Sequence, residues 1–170
     1  KKLFEIGRAL PDTDITIREE GQGVVKVSAD KFESRMQTLP REDFPTLPEG
    51  SAKAVKLPAE TLREMVAKTR FAITGEDTRY FLNGALFVLE GDEMTLVATD
   101  GHRLALVAAK RDKGKTKKDE SPRVILPKKT LWELGRLLTD DDKEISYQQG
   151  ENHLFFKVAG RVLISRMIDA

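Results

Sequence analysis

The sequence predicts an α+β fold assembled from repeated β-α-β-β-β units, and three observations predict it. The segment Leu3-Phe4-Glu5-Ile6-Gly7-Arg8-Ala9-Leu10 returns 128 residues later as Leu131-Trp132-Glu133-Leu134-Gly135-Arg136-Leu137-Leu138, with five of eight positions identical and the other three apolar in both. A fainter echo, 69 residues apart, relates Leu57-Pro58-Ala59-Glu60-Thr61-Leu62-Arg63-Glu64-Met65 to Leu126-Pro127-Lys128-Lys129-Thr130-Leu131-Trp132-Glu133-Leu134. Each of these three helical segments is followed by three short strand-like runs separated by turn residues. The long period is no solenoid repeat. It marks a duplicated domain of about 130 residues whose two halves are themselves related.

Taken in order, the chain opens on the helical segment 3–10, and Lys1 already reads as standing within a helix, so the chain reads as part of something longer. An acid-rich turn, Pro11-Asp12-Thr13-Asp14, leads to strands over 15–20, 24–28 and 32–38, turning at Gly21-Gln22-Gly23 and Ala29-Asp30. The run Ser34-Arg35-Met36 here has its counterpart in Ser165-Arg166-Met167. Residues 41–52 hold two Pro and one Gly and read as a linker. It divides residues 1–50, the end of one domain with its linker, from a second domain at 51–170.

In the second domain, strands over 54–57 and 124–126 each meet a Pro, which suits a first helical turn because its missing N–H has no partner there. The helices that follow place Leu62, Met65 and Val66, and Leu131, Leu134 and Leu138, at three- and four-residue spacing. Strands follow over 80–90, 94–99 and 103–108 in the first half, and over 144–149, 153–158 and 161–168 in the second. Asp100-Gly101 is the residue pair favoured in a two-residue type I′ hairpin. Between the halves, residues 110–123 carry seven basic residues among fourteen. That run reads as a solvated loop, with phosphate binding as the alternative.

The balance of 39% hydrophobic to 34% charged residues is that of an ordinary globular protein. No apolar run approaches the roughly 20 residues that span a bilayer. With no Cys there are no disulfides and no thiolate metal sites, which suits a reducing compartment. A net charge of +1 announces no nucleic-acid partner, though a basic face can coexist with an acidic one.

Two stretches concentrate chemistry: Thr78-Arg79-Tyr80-Phe81-Leu82-Asn83-Gly84 and Val97-Ala98-Thr99-Asp100-Gly101-His102-Arg103-Leu104-Ala105. Together with Thr38-Leu39-Pro40-Arg41-Glu42-Asp43-Phe44-Pro45, they resemble the bacterial replicative sliding clamp family, the beta subunit of DNA polymerase III. The likeness runs the length of the chain without large gaps, and the two marked stretches match that family's middle domain. It implies a DNA clamp fold with helices on the inner face and antiparallel sheets on the outer face of a head-to-tail dimeric ring. It further implies a cytoplasmic, nucleoid-associated protein that encircles double-stranded DNA without reading sequence. No catalytic residue, metal or cofactor is implied.

Lysines and arginines recur on the equivalent helices: Lys1, Lys2 and Arg8; Arg63, Lys68 and Arg70; Lys128, Lys129 and Arg136. By themselves they are ordinary solvated helix surface; the resemblance implies that they face DNA phosphate. It also implies DNA contacts for Arg79 and Tyr80, whereas Phe81 reads as a core aromatic at a strand start. For Leu82, Thr99, Gly101, His102, Arg103 and Leu104 the resemblance implies half of a pocket. Short linear peptides of the replicative polymerase, the clamp loader and repair proteins enter that pocket in the family. In the family its opposite wall comes from the segment just past the Ser-Arg-Met-Ile-Asp stretch and from the third domain. Two rival readings exist. Thr99, Asp100, His102 and Arg103 are a conceivable hydrolase or phosphotransfer constellation, but there are only two His and no HExxH, phosphate-loop or G-x-S-x-G pattern. A free-standing peptide-binding module needs the pocket but no ring.

Overall fold

The computed structural model describes residues 1–21, 23–50, 53–75, 78–111 and 123–169. The greater part of the basic run at 110–123 lies outside these residues, as do Gln22 of the first turn and Glu76 and Asp77 of the loop before Thr78. The chain forms two compact units, Lys1–Leu47 and Pro48–Ala170.

The first unit holds helix α1 (Lys2–Ala9) and a three-stranded antiparallel sheet, β1 (Thr16–Gly21), β2 (Val24–Ala29) and β3 (Phe32–Gln37). Lys1 is the cap residue of α1. Val27 and Ala29 on the middle strand are its buried apolar residues, while α1 buries none.

The second unit contains two β-α-β-β-β halves. The first comprises β4 (Val55–Pro58), α2 (Ala59–Thr69), β5 (Gly84–Glu90), β6 (Glu93–Thr99) and β7 (Leu104–Lys110). The second comprises β8 (Arg123–Pro127), α3 (Lys128–Leu137), β9 (Glu144–Gln149), β10 (His153–Val158) and β11 (Arg161–Arg166). Pro58 and Pro127 stand at the caps of α2 and α3, where a missing N–H is harmless. The halves exchange their first strands. β4 pairs with β9 and β8 pairs with β5, giving the antiparallel sheets β11-β10-β9-β4 and β7-β6-β5-β8.

One core joins the halves. α2 turns Leu62, Met65 and Val66 inward, α3 turns Leu131 and Leu134 inward, and the two helices touch each other. Burying each such side chain contributes about 1.5–3 kcal/mol. Tyr147 bridges the sheets, edge-on to Phe87 at 5.7 Å and tilted against Phe156 at 5.3 Å. Burial pushes its hydroxyl pKa up, and that hydroxyl donates to Gln149 Oε1 at 3.4 Å.

Three elements differ from their sequence-based expectation. The strand expected from residue 80 starts at Gly84, because Tyr80–Asn83 forms a 3-10 turn. The Thr74 hydroxyl contacts both the Leu82 carbonyl (3.1 Å) and Asn83 Oδ1 (2.7 Å), and the Leu82 N–H donates to the Arg79 carbonyl, so the turn is fastened from two sides. The last strand stops at Arg166. Ile168 then crosses to the other sheet and donates its N–H to the Ile125 carbonyl at 3.1 Å. Finally, positive φ at two successive turn residues, which type I′ requires, occurs at Ala159 (44°) and Gly160 (75°) and not at Asp100-Gly101.

Candidate functional site

The tip between β6 and β7 is a four-residue loop, since Thr99 pairs with Leu104. The Asp100 side chain sets its length. Oδ1 accepts from the backbone N–H of His102 and of Arg103, each at 3.0 Å, and Oδ2 accepts from Arg103 Nε at 2.8 Å. These donors, the His102 N–H foremost, pull the Asp100 pKa from 3.8 down to about 2. The Thr99 hydroxyl donates to the Arg103 carbonyl at 2.7 Å and accepts from the Gly101 N–H at 3.2 Å. Apart from the Asp100–Arg103 ion pair, each of these bonds has a backbone group as one partner. The Thr99 hydroxyl proton is therefore directed at a carbonyl and not at a base, an arrangement that fastens a turn and activates no nucleophile. Among the described residues, no three or more of His, Asp and Glu group closely enough to hold a metal ion.

Arg79 lies against this tip: a Cβ on Gly101 would stand 3.3 Å from its guanidinium nitrogens. The two stretches singled out by sequence therefore meet, with the tightness of Gly101 as the reason. Arg103 is turned the other way, donating to the Phe71 carbonyl at 2.9 Å and lying 5.6 Å from the Phe71 ring centroid.

Beside the tip, on the solvent side of sheet β7-β6-β5-β8, is a cavity of about 570 Å³. Leu82 and Thr99 line it, together with Phe81, Leu86, Val97 and Ile125 among others, and Met167, Ile168 and Asp169 close one side. Gly101, His102, Arg103 and Leu104 are outside its wall. The tip thus frames the cavity while its polar side chains serve the turn. Phe81, expected in the core, is 45% exposed at the cavity and edge-on to Tyr80 at 6.0 Å. The register explains why the surface is apolar. Leu106, Val97, Leu86 and Ile125 are consecutive partners across four strands, and Ile168 bridges to Ile125. No single segment of the sequence displays this row. Its signal was the unbroken apolar run Ala85-Leu86-Phe87-Val88-Leu89, which gives a strand two apolar faces.

The basic helix residues differ in their surroundings. Lys1, Lys2 and Arg8 are exposed on α1. In the second unit, Arg63 is half-buried and ion-paired with Asp140, and Lys128 is half-buried with Nζ donating to the Ile73 carbonyl at 3.3 Å. Lys128 is therefore a strap between α3 and the segment after α2, contrary to its expected free exposure. Lys68 pairs with Glu64 at 3.0 Å and Arg136 with Glu133 at 3.6 Å, but all four remain substantially solvated. Lys129 and Arg136 share an exposed stripe of α3 with Trp132, and the Arg70 guanidinium lies 4.8 Å from the Trp132 ring centroid. No helix among the described residues is long and apolar enough to cross a membrane.

Residues 56–170 match the family described as DNA polymerase III beta subunit, central domain. The beta sliding clamp of Pseudomonas aeruginosa is 35% identical over 171 residues, covering 99% of this chain and 46% of that protein. The beta sliding clamp of Escherichia coli K12 is 34% identical, covering 99% of this chain and 45% of that protein. A crystal structure of the DNA polymerase III subunit beta from Pseudomonas aeruginosa superposes with a TM-score of 0.89 at 35% identity, covering 99% of this chain and 46% of that one. The chain thus spans slightly under half the length of these relatives.

Proposed function

The chain belongs to the DNA polymerase III beta subunit family of bacterial DNA replication, and from that premise we propose that it is part of a sliding clamp. In this reading residues 1–50 close a first domain and residues 51–170 are the middle domain of a homodimeric ring around duplex DNA. The ring has no catalytic role. It holds the replicative polymerase, the clamp loader and repair proteins on DNA by docking their short linear peptides.

The observation that carries the reading is the apolar row Leu106–Val97–Leu86–Ile125–Ile168, partly exposed on a sheet face, of which all but Leu106 line a cavity. A strand face turned to water normally alternates to polar residues. An apolar one with a cavity suits a peptide that inserts apolar side chains. On the helical side, Lys68, Arg70, Lys129 and Arg136 offer charge to phosphate, while Glu60 and Glu64 on α2 dilute it. Non-specific, salt-sensitive contact follows from such a surface. The test is topological. The protein as the cell makes it is loaded on nicked circular DNA, which is then linearised. Retention on the circle and loss from the linear form is the expected result; equal retention on both would rule out encirclement.

A further inference from the structure

We propose that Trp132 is a positioning residue for DNA, holding the Arg70 guanidinium over its ring so that the N–H donors meet a backbone phosphate. This rests on the reading of α3 as a DNA-facing helix and adds to it a paired device spanning two helical segments.

Trp132 is 51% exposed, although a helix of this composition has ample apolar surface turned inward through Leu131 and Leu134. A large aromatic left half in water costs solvation unless something covers a face. Arg70 does so: its Cζ is 4.8 Å from the ring centroid, within cation–π range. Arg70 sits where α2 passes into the 3-10 turn Arg70–Ala72, so the pair ties the end of one helix to the middle of the next. Among the described residues, no carboxylate forms an ion pair with Arg70, in contrast to Arg63, Lys68 and Arg136.

A guanidinium whose carbon is held over a ring still carries N–H donors around its rim. Those donors match two phosphate oxygens, and the stacking removes rotamer freedom that phosphate binding would otherwise have to remove. Lys129 and Arg136 stand three residues before and four residues after Trp132, hence on the same stripe of α3. The chemistry that fits is a run of phosphates on duplex DNA, approached without contact to base edges.

Binding of a labelled short duplex to the 170-residue chain at low salt tests this, with Trp132, the only tryptophan, as a second reporter. Duplex should change Trp132 emission. Arg70→Gln should weaken binding about threefold and lower the slope of log affinity against log salt by about 1. Trp132→Leu should weaken binding about threefold in the parent and have no further effect in the Arg70→Gln background, while Trp132→Phe should retain most of the affinity. Unchanged binding by Trp132→Leu, or an equal loss with and without Arg70, overturns the proposal. The combined Lys129→Glu, Arg136→Glu variant separates the two levels. If it weakens binding while Trp132→Leu and Arg70→Gln do not, the pairing alone fails. If it too is silent, or the parent chain does not bind, the DNA-facing reading of α3 fails with it.

Discussion

Arg103 and Phe71 stand 32 residues apart in the chain, yet the Arg103 guanidinium both donates to the Phe71 carbonyl at 2.9 Å and lies 5.6 Å from its ring. The same guanidinium grips Asp100 through Nε. Arg103, for which the family resemblance implies a place in a peptide pocket, thus also anchors the hairpin tip. Arg103→Ala should cost about 1 kcal/mol, an exposed-site value, lowering the melting temperature by about 2–4 °C. Hydrogen exchange at the His102 and Arg103 amides should accelerate. Unchanged protection there would mean that Asp100 holds the tip unaided.

Asp100 supplies a pH prediction. Its carboxyl pKa is drawn from 3.8 to about 2 by donors that favour the ionised form. A lowered folded-state pKa means that its stabilisation is complete above the unfolded value near 3.8 and declines as pH falls toward about 2. A carboxyl titration of Asp100 by NMR should show a midpoint near 2. A midpoint near 3.8 would show the tip open in solution.

Gly84 opens β5 at the cavity floor. A Cβ there would meet the Leu126 carbonyl at 2.5 Å, Ile125 Cγ2 at 2.7 Å and Ile168 Cδ1 at 3.1 Å. Its backbone is extended, so the need for glycine is one of space. Gly84→Ala should destabilise the unit by about 1–3 kcal/mol, read by denaturant unfolding. A neutral result would show that β8 shifts freely away from β5.

The apolar row predicts its own hot spots. Leu86→Asp, at a half-exposed position, should leave the fold intact and weaken a clamp-binding peptide carrying two apolar anchors by tenfold or more. Leu82→Ala should weaken it as well. His102→Ala, outside the cavity wall, should do less than Leu86→Asp. Fluorescence titration decides the order, and a reversed order would move the peptide to the tip.

Lys128 and Lys129 are neighbours with different tasks. Lys128→Ala should lower stability by about 1 kcal/mol through the lost bond to Ile73, whereas Lys129→Ala should leave stability unchanged and weaken DNA binding most at low salt. Melting curves and a salt series on the two single variants distinguish them; identical behaviour would contradict the strap.

What could be read in advance followed the range of the forces involved. Leu131 and Leu134 announced α3 because helical spacing is local. Asp100-Gly101 announced a turn but not its length, which depends on where a carboxylate finds donors. Tyr80-Phe81-Leu82 looked like a strand start because aromatics favour strands, and the hydroxyl that bends them, Thr74, stands in a separate loop. The cavity has no local signature because its wall is a register effect, visible only when Leu86, Val97 and Ile125 are aligned across strands. In the sequence Trp132 is merely an apolar member of the repeat, since nothing local foretells the arrival of Arg70.

The exchange of first strands has a consequence during synthesis. β4 is made early, but Lys56 waits for Glu144, 88 residues later. At about 5–20 residues per second this is a delay of roughly 4–18 seconds. Sheet β7-β6-β5-β8 is completed first, because β8 is translated well before β9. Over that interval the nascent chain carries an orphaned edge strand, and the second sheet cannot close until the ribosome has delivered nearly the whole unit. Neither half is a unit of folding, however clearly each is a unit of ancestry.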